Sequence, residues 1–476
     1  MDIKIYPGRL KGTVQAPPSK SAAHRALICA SLADGISVIR GISGSKDMKA
    51  TIGCMCALGA QIERIDDYSV RIKGIGANGS MVDSSIVLDC IESGSTLRFV
   101  LPIAAALGAD AHFTGQGKLP ERPMTPLADE MKKKGIIFSP DGRDCLPFDI
   151  HGKLEAGIFE IPGNISSQYF SGLIFALPLL DADSEIVVEG NLESKSYVEL
   201  TLKMIEDFGI TIIKTDEGFK VPGNQTYRAS DIEIEGDYSQ AAFWFAAGAL
   251  GSDVEVTGLR YDSAQGDKEA VDVLCRFGAN VTRKKLKTGE KGSITIAQLG
   301  TDGAVCEAAG EVAGGVVCGA DSGSDDGTAG GMSGGIVGGM SAADVDSSDI
   351  PDVIPVLSVA AACCEGTSTF YNAGRLRLKE CDRLSAMALS LEKLGIEVSE
   401  TENELIVTGG KLKGGCEVSG FNDHRIVMAM AIAALSCEEP VVITGVEAIA
   451  KSYPDFFEEF RRLGGRADVI TDRENS

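Results

Sequence analysis

The sequence predicts an α/β fold built from six repeats, and three observations carry that prediction. First, one junction recurs: an amphipathic helical stretch, a glycine, then a short strand-like run. It reads Leu58-Gly59-Ala60-Gln61-Ile62, Lys134-Gly135-Ile136-Ile137, Phe208-Gly209-Ile210-Thr211-Ile212, Phe277-Gly278-Ala279-Asn280-Val281, Leu394-Gly395-Ile396-Glu397-Val398 and Leu463-Gly464-Gly465-Arg466-Ala467. Glycine suits the left-handed position after a helix, and β-branched residues suit the strand that follows. Second, Gly59, Gly135, Gly209, Gly278, Gly395 and Gly464 stand 76, 74, 69, 117 and 69 residues apart. Four of these intervals agree within seven residues, the mark of a repeat architecture. Third, the long interval predicts an insertion, and residues 301–348 supply one, with 13 Gly, eight Asp or Glu and no Lys or Arg. Such a stretch buries too little apolar surface to offset its ordering entropy, and it reads mostly as an acidic loop.

Composition narrows the class. The 476 residues are 44% hydrophobic, enough for large cores and more than one domain. The N-terminal run Met1-Asp2-Ile3-Lys4-Ile5-Tyr6-Pro7 has no signal-peptide pattern. Among the longer apolar runs, Ile426 to Cys437 falls short of the about 20 residues that span a bilayer. The 13 cysteines are odd in number and scattered, the pattern of reduced thiols in a cytoplasmic protein. Cys54-Met55-Cys56 and Cys363-Cys364 lack metal-ligand spacing and the chain has four His, so no metal site is expected. A net charge of −23 argues against a nucleic-acid partner. It is compatible with small anionic substrates, because a cleft can focus positive potential inside an acidic protein.

The cations gather in a few stretches. Pro18-Ser19-Lys20-Ser21-Ala22-Ala23-His24-Arg25 leads into the apolar Ala26 to Ala30. Lys and Arg at a helix start add to the free N–H groups and the helix dipole, which makes an anion site with Ser21 near the cap. Glu92-Ser93-Gly94-Ser95-Thr96-Leu97-Arg98 is a small-residue loop that lets a ligand approach the backbone, with Arg98 adding charge. In Leu119-Pro120-Glu121-Arg122-Pro123-Met124, prolines pre-set a loop whose guanidinium can grip a carboxylate or phosphate. Asn164-Ile165-Ser166-Ser167-Gln168 opens a helix with two hydroxyls that can cap it or bind an anion. Asp352 sits between Pro351 and Pro355, before an apolar run. In Arg375-Leu376-Arg377-Leu378-Lys379-Glu380-Cys381-Asp382-Arg383-Leu384 six of ten residues are charged. Asn422-Asp423-His424-Arg425 precedes the apolar Ile426 to Leu435, and Ala450-Lys451-Ser452-Tyr453-Pro454 follows. Taken singly, most of these read as caps, turns or solvated helix faces.

Taken in order, with Glu193-Ser194-Lys195-Ser196-Tyr197 between them, these stretches resemble the substrate motifs of the enolpyruvyl transferases over nearly the whole chain. The resemblance implies two similar domains, each of three βαβαββ-type repeats with helices inside and sheets outside. The chain would cross between them near Ser19 and Asp237. One domain is then 19–237, and the other is 1–18 plus 238–476, with the 301–348 insertion inside it. The implied reaction moves the enolpyruvyl group of phosphoenolpyruvate to the 5-hydroxyl of shikimate 3-phosphate, releasing phosphate, on the route to aromatic amino acids. The implied protein is a cytoplasmic monomer that needs no metal and no organic cofactor.

By the same resemblance, Lys20, Ser21, Arg25, Ser166, Ser167, Gln168, Ser194, Asp352 and Lys379 hold shikimate 3-phosphate, with Tyr197 flanking its ring. Lys20, Gly94, Arg122, Gln168, Arg383, Arg425 and Lys451 hold phosphoenolpyruvate. Asp352, Glu380 and Lys20 share the proton transfers: Asp352 accepts the hydroxyl proton, and Glu380 exchanges the methylene proton. The cations come from both halves and converge on domain closure, which excludes water. Four positions depart from the family pattern. Glu92 and Ser93 stand where Asn-Ala is more familiar, Cys381 replaces Thr or Ser, and Arg375 stands where some members have a substrate-binding Asn, so no role is carried to it. An alternative acceptor is UDP-N-acetylglucosamine, whose enzymes usually carry a reactive cysteine in a loop that here reads Gln116-Gly117-Lys118-Leu119. A non-catalytic homologue that keeps the pocket is the other alternative, opposed by the intact Asp352, Lys379, Glu380 and Arg383.

Overall fold

A computed structural model describes residues 1–76, 85–122, 124–140, 145–284, 291–297 and 339–470. The described strands form six four-stranded sheets of one plan. In one of them Ile86–Asp89 runs parallel to Ala111–Thr114, which pairs antiparallel with Phe148–His151, itself antiparallel to Ile137–Ser139. Helix Gly94–Ala106 makes the parallel crossover, and helix Thr125–Lys133 leads into the closing hairpin. Parallel neighbours need such a crossover, whereas antiparallel ones need only a turn. Each unit is therefore βαβαββ, as expected.

The junctions that predicted the repeat close all six units alike. Their glycines have positive φ, from 79° at Gly209 to 108° at Gly59. One residue beyond each glycine, an N–H reaches back to the helix: Ala60 to Met55, Ile136 to Met131, Ile210 to Ile205, Ala279 to Leu274, Ile396 to Leu391 and Gly465 to Phe460, at 2.9–3.1 Å. This is the Schellman closure, in which a left-handed residue satisfies the last helical carbonyls.

Three units borrow strands from distant sequence. Lys11–Gln15 runs parallel to Asp253–Leu259, and Asp2–Ile5 lies between Val441–Thr444 and Ala467–Ile470. Ile232–Glu233 returns to open the sheet of Ile36–Arg40. The two passages of chain lie side by side: Ser19 N–H donates to Glu235 O and Asp237 N–H donates to Pro17 O, both at 2.8 Å. One apolar core draws on residues between Ala22 and Ile234. The other combines Ile3, Ile5, Leu10, Val14 and Ala16 with residues from Tyr238 to Ala467. The molecule thus has two domains of three units each.

In each unit the first helix lies inside. Tyr238–Ala249 and His424–Leu435 are buried at every residue. Lys20–Leu32, Gly94–Ala106 and Ser167–Ala176 are buried nearly throughout. The sheets form the outer layer.

Three local expectations are corrected. Ser19, not Ser21, caps the first helix, its Oγ accepting from Ala22 N–H at 3.4 Å. After Gly209 the strand begins at Ile213, because the Gln225 side chain takes both backbone groups of Thr211, at 2.8 and 2.9 Å. Of the 301–348 insertion, 301–338 lies outside the described residues. Its end belongs to the fold: Met340 is buried, and Val345–Asp346 pairs with Phe370 and Tyr371.

Candidate active site

Helix starts from both domains meet at a cleft of about 970 Å³, and the N-termini of the inner helices bring backbone donors to it. Ser93 caps the helix that begins at Gly94, Ser166 caps the one that begins at Ser167, and Asp423 caps the one that begins at His424. A Cβ added at Gly94 would lie 2.5 Å from Arg122 Nη1 and 2.7 Å from Arg98 Nη1. Glycine is therefore what lets two guanidiniums approach one helix start.

The first domain lines the cleft with Lys20, Ser21, Arg25, Gly94, Arg98, Arg122, Ser166, Ser167, Gln168 and Ser194. Lys20 Nζ donates to Asp47 Oδ2 at 2.9 Å. Burial works to lower the Lys20 ammonium, and Asp47 and Glu380 together outweigh it and raise it. Arg25 spends its donors on Thr201 Oγ1, Ser21 O and Tyr197 O, at 2.7–2.8 Å, and burial pushes it down to about 10. Gln168 accepts from Arg98 Nη1 at 2.8 Å and donates to Ser95 Oγ at 2.9 Å. Ser194 holds a left-handed backbone, φ 53°, and its Oγ accepts from Arg375 Nη2 at 2.8 Å. A serine is uncommon in that region, so its neighbours must fix it.

The second domain contributes Asp352, Arg375, Lys379 and Glu380 to the lining. Asp352 is the hub. Its Oδ1 accepts from Arg383 Nη1 at 2.9 Å and Lys379 Nζ at 3.3 Å, and its Oδ2 accepts from Arg425 Nη2 at 2.9 Å. Burial favours the neutral acid, yet Arg425, Lys379, Arg383 and Lys20 overcome it and hold Asp352 well below the usual carboxylate range. Glu380 accepts from Arg383 Nη2 at 2.6 Å. Burial raises it, and Arg383, His424, Arg122 and Lys20 together hold it well below its ordinary value. Burial pushes the Lys379 ammonium down to about 8, with Asp352 opposing.

Arg383, Arg425 and Lys451 stand behind this lining. Arg383 is 1% exposed and also donates Nε to Asp423 Oδ2 at 2.8 Å. Lys451 Nζ meets Glu92 Oε2 at 2.8 Å and Asn422 O at 2.7 Å. Among the described residues, Arg122 Nε and Arg425 Nε and Nη1 are buried without a protein partner. Buried donors are normally satisfied, so these are available to ligand oxygens. The arrangement can hold two anions beside two ionised carboxylates.

Sequence reasoning passed over Asp47, gave Arg375 no role, and noted the charge of Arg98 without assigning it a substrate. Arg98 had a signal, because it lies four residues after Gly94 and so on the same helix face. Asp47 in the first turn of Lys46–Ala57 reads as an ordinary helix-start acid. Among the described residues no group of three or more His, Cys, Asp or Glu is arranged to hold a metal ion, and no helix is long and apolar enough to cross a membrane.

Residues 5–460 match the family model of EPSP synthase (3-phosphoshikimate 1-carboxyvinyltransferase). A 3-phosphoshikimate 1-carboxyvinyltransferase of Clostridium beijerinckii is 44% identical over 474 residues, 98% of each chain. One of Clostridioides difficile is 41% identical over 475 residues, again 98% of each. The solved structure of EPSP synthase from Acinetobacter baumannii has a TM-score of 0.75 at 24% identity, covering 98% of this chain and 100% of its own.

Proposed function

The chain belongs to the EPSP synthase family, and on that footing we propose that its cleft residues transfer the enolpyruvyl group of phosphoenolpyruvate to the 5-hydroxyl of shikimate 3-phosphate. It is a transferase of aromatic amino acid biosynthesis. One observation carries the assignment of residues: cations of both domains surround the ionised Asp352 and Glu380.

Lys20, Ser21, Arg25, Ser166, Ser167, Gln168, Ser194 and Lys379 hold shikimate 3-phosphate. Lys20, Gly94, Arg122, Gln168, Arg383, Arg425 and Lys451 hold phosphoenolpyruvate. The unpartnered donors of Arg122 and Arg425 support that reading. The domains that close on the substrates are 19–237 and 1–18 with 238–476, supported by the two apolar cores. Asp352 takes the hydroxyl proton as the oxygen adds to the central carbon of the enol. The Lys20 ammonium supplies one proton, which the ionised Glu380 relays to the methylene carbon, giving a tetrahedral intermediate. Return of that proton and loss of phosphate give the enol ether. The protein works as a cytoplasmic monomer. The absence of a disulfide among its eleven described cysteines supports the compartment.

The test is phosphate release from phosphoenolpyruvate with shikimate 3-phosphate, with UDP-N-acetylglucosamine as control acceptor. Release with shikimate 3-phosphate alone is expected. Release with the nucleotide sugar, or with neither, overturns the reading.

A further inference from the structure

Behind Asp352 lies a second buried carboxylate with no part in the chemistry above. Asp267 is 3% exposed and belongs to the turn that precedes helix Glu269–Arg276. Its Oδ2 accepts from Tyr197 Oη at 2.9 Å, and the same Oη stands 3.4 Å from Asp352 Oδ2. Its Oδ1 is buried without a hydrogen-bond partner. One phenol thus bridges two carboxylates, and its single hydrogen serves only one at a time. It goes to the nearer, Asp267. If Asp352 becomes protonated, its O–H can donate to Tyr197 Oη, completing a chain of one polarity from Asp352 to Tyr197 to Asp267.

Resting on the transferase reading, we propose that Asp267 is the resting place of the substrate hydroxyl proton, received from Asp352 through the Tyr197 hydroxyl. The chemistry at Asp352 requires some such outlet. Four cations depress that carboxyl, so once protonated it is a strong acid and holds the proton poorly. Asp267 has the opposite surroundings: burial, then the Asp352 charge, push its carboxyl up to about 7, with Asp237 adding to the rise and Arg425 and Tyr197 opposing it. On its own element, Lys268 Nζ is turned to Ser263 O at 2.8 Å. An acceptor near neutral pH suits general base catalysis better than a depressed one.

The step balances. As the C–O bond forms, the hydroxyl O–H bond breaks and its proton passes to Asp352. Asp352 protonates Tyr197 Oη as that oxygen gives its own proton to Asp267 Oδ2. On collapse of the intermediate the C–O bond to phosphate breaks with its electron pair. The proton then returns by the same path, and phosphate leaves as hydrogen phosphate. Asp267 and Tyr197 act through Asp352 and are positioning residues for its proton.

The test compares kcat against pH for wild type, D267N, Y197F and the double variant, using phosphate release. Asn at position 267 can still accept from Tyr197 but cannot take a proton. Wild-type kcat is expected to rise with pH through about 7. D267N should lose that limb and about 10²-fold in kcat, with KM for both substrates little changed. Y197F should lose as much, and the double variant no more than either. D267N with wild-type rate, a reduced rate that keeps the limb, or losses that multiply in the double variant overturn the relay. Circular dichroism checks folding, and Y197F carries the comparison if D267N fails to fold. An active wild type beside an unchanged D267N defeats the relay alone, whereas failure of the transferase reading appears in the wild type.

Discussion

The Lys451 ammonium and the Glu92 carboxylate meet at 2.8 Å across the two domains, with Lys451 only 5% exposed. Asn422 Nδ2 donates to the same carboxylate oxygen at 3.2 Å. Glu92 thus occupies Lys451 with an anion of the protein's own, and phosphoenolpyruvate must compete with it. Glu92→Gln is expected to lower KM for phosphoenolpyruvate by about 3- to 10-fold and to leave KM for shikimate 3-phosphate unchanged. Steady-state kinetics with each substrate varied checks this, and an unchanged or higher KM would refute the competition.

Gly94→Ala places a methyl group against the ends of two flexible guanidiniums. Those ends can swing aside, so thermal stability should hold. Their convergence is lost, and KM for phosphoenolpyruvate should rise at least about 10-fold, since misplaced donors cost roughly a charge-assisted hydrogen bond. The combination of an unchanged Tm and a raised KM is the signature to look for.

Asp352→Asn keeps the shape of the hub and removes its charge. Turnover should fall by about 10²- to 10⁴-fold. A turnover near wild type would remove Asp352 from its role as base.

Lys379 supplies a pH signature of its own. Burial lowers its ammonium to about 8, so its charge is complete below that value and is lost as pH rises through it. KM for shikimate 3-phosphate should therefore climb on the alkaline side. In Lys379→Arg, whose guanidinium stays charged, KM should start higher and remain flat. Measuring KM from neutral to alkaline pH distinguishes the two.

Asp423 is fully buried, accepts Arg383 Nε at 2.8 Å, and caps its helix by accepting Arg425 N–H at 2.8 Å. Asp423→Ala leaves a buried guanidinium short of a partner and should cost about 3–5 kcal/mol, seen in denaturant unfolding. Asp423→Asn keeps a capping oxygen and should cost less.

The six unit ends were legible because each depends on one local requirement, a left-handed residue closing a helix. The two-residue strands Ile232–Glu233 and Val345–Asp346 were not, since two residues have no period to read. That is why the acidic insertion was drawn past its true end. At the site, the residue types and their order were legible in motifs. Their pairing was not. Arg383 and Arg425 are turned onto Asp352, and Lys451 onto Glu92, by burial that forces each charge to find a partner. Asp267 and Tyr197 lie 70 residues apart, and neither carries a sign of the other.

Strand Asp2–Ile5 is sandwiched between strands that begin at Val441 and Ala467. A ribosome therefore makes this strand well over 400 residues before its neighbours, Ile3 pairing with Ile443 and Val469. The stretch from Ala22 to Ile234 has its own core and can collapse while the second domain is still being made. Throughout that interval the first strand has unpaired edges and an apolar face holding Ile3 and Ile5. The exposure ends only when Val441–Thr444 and Ala467–Ile470 arrive. Late, long-range pairing of this kind makes completion of the second domain the slow stage of maturation, and the stage at which a chaperone has most to shield.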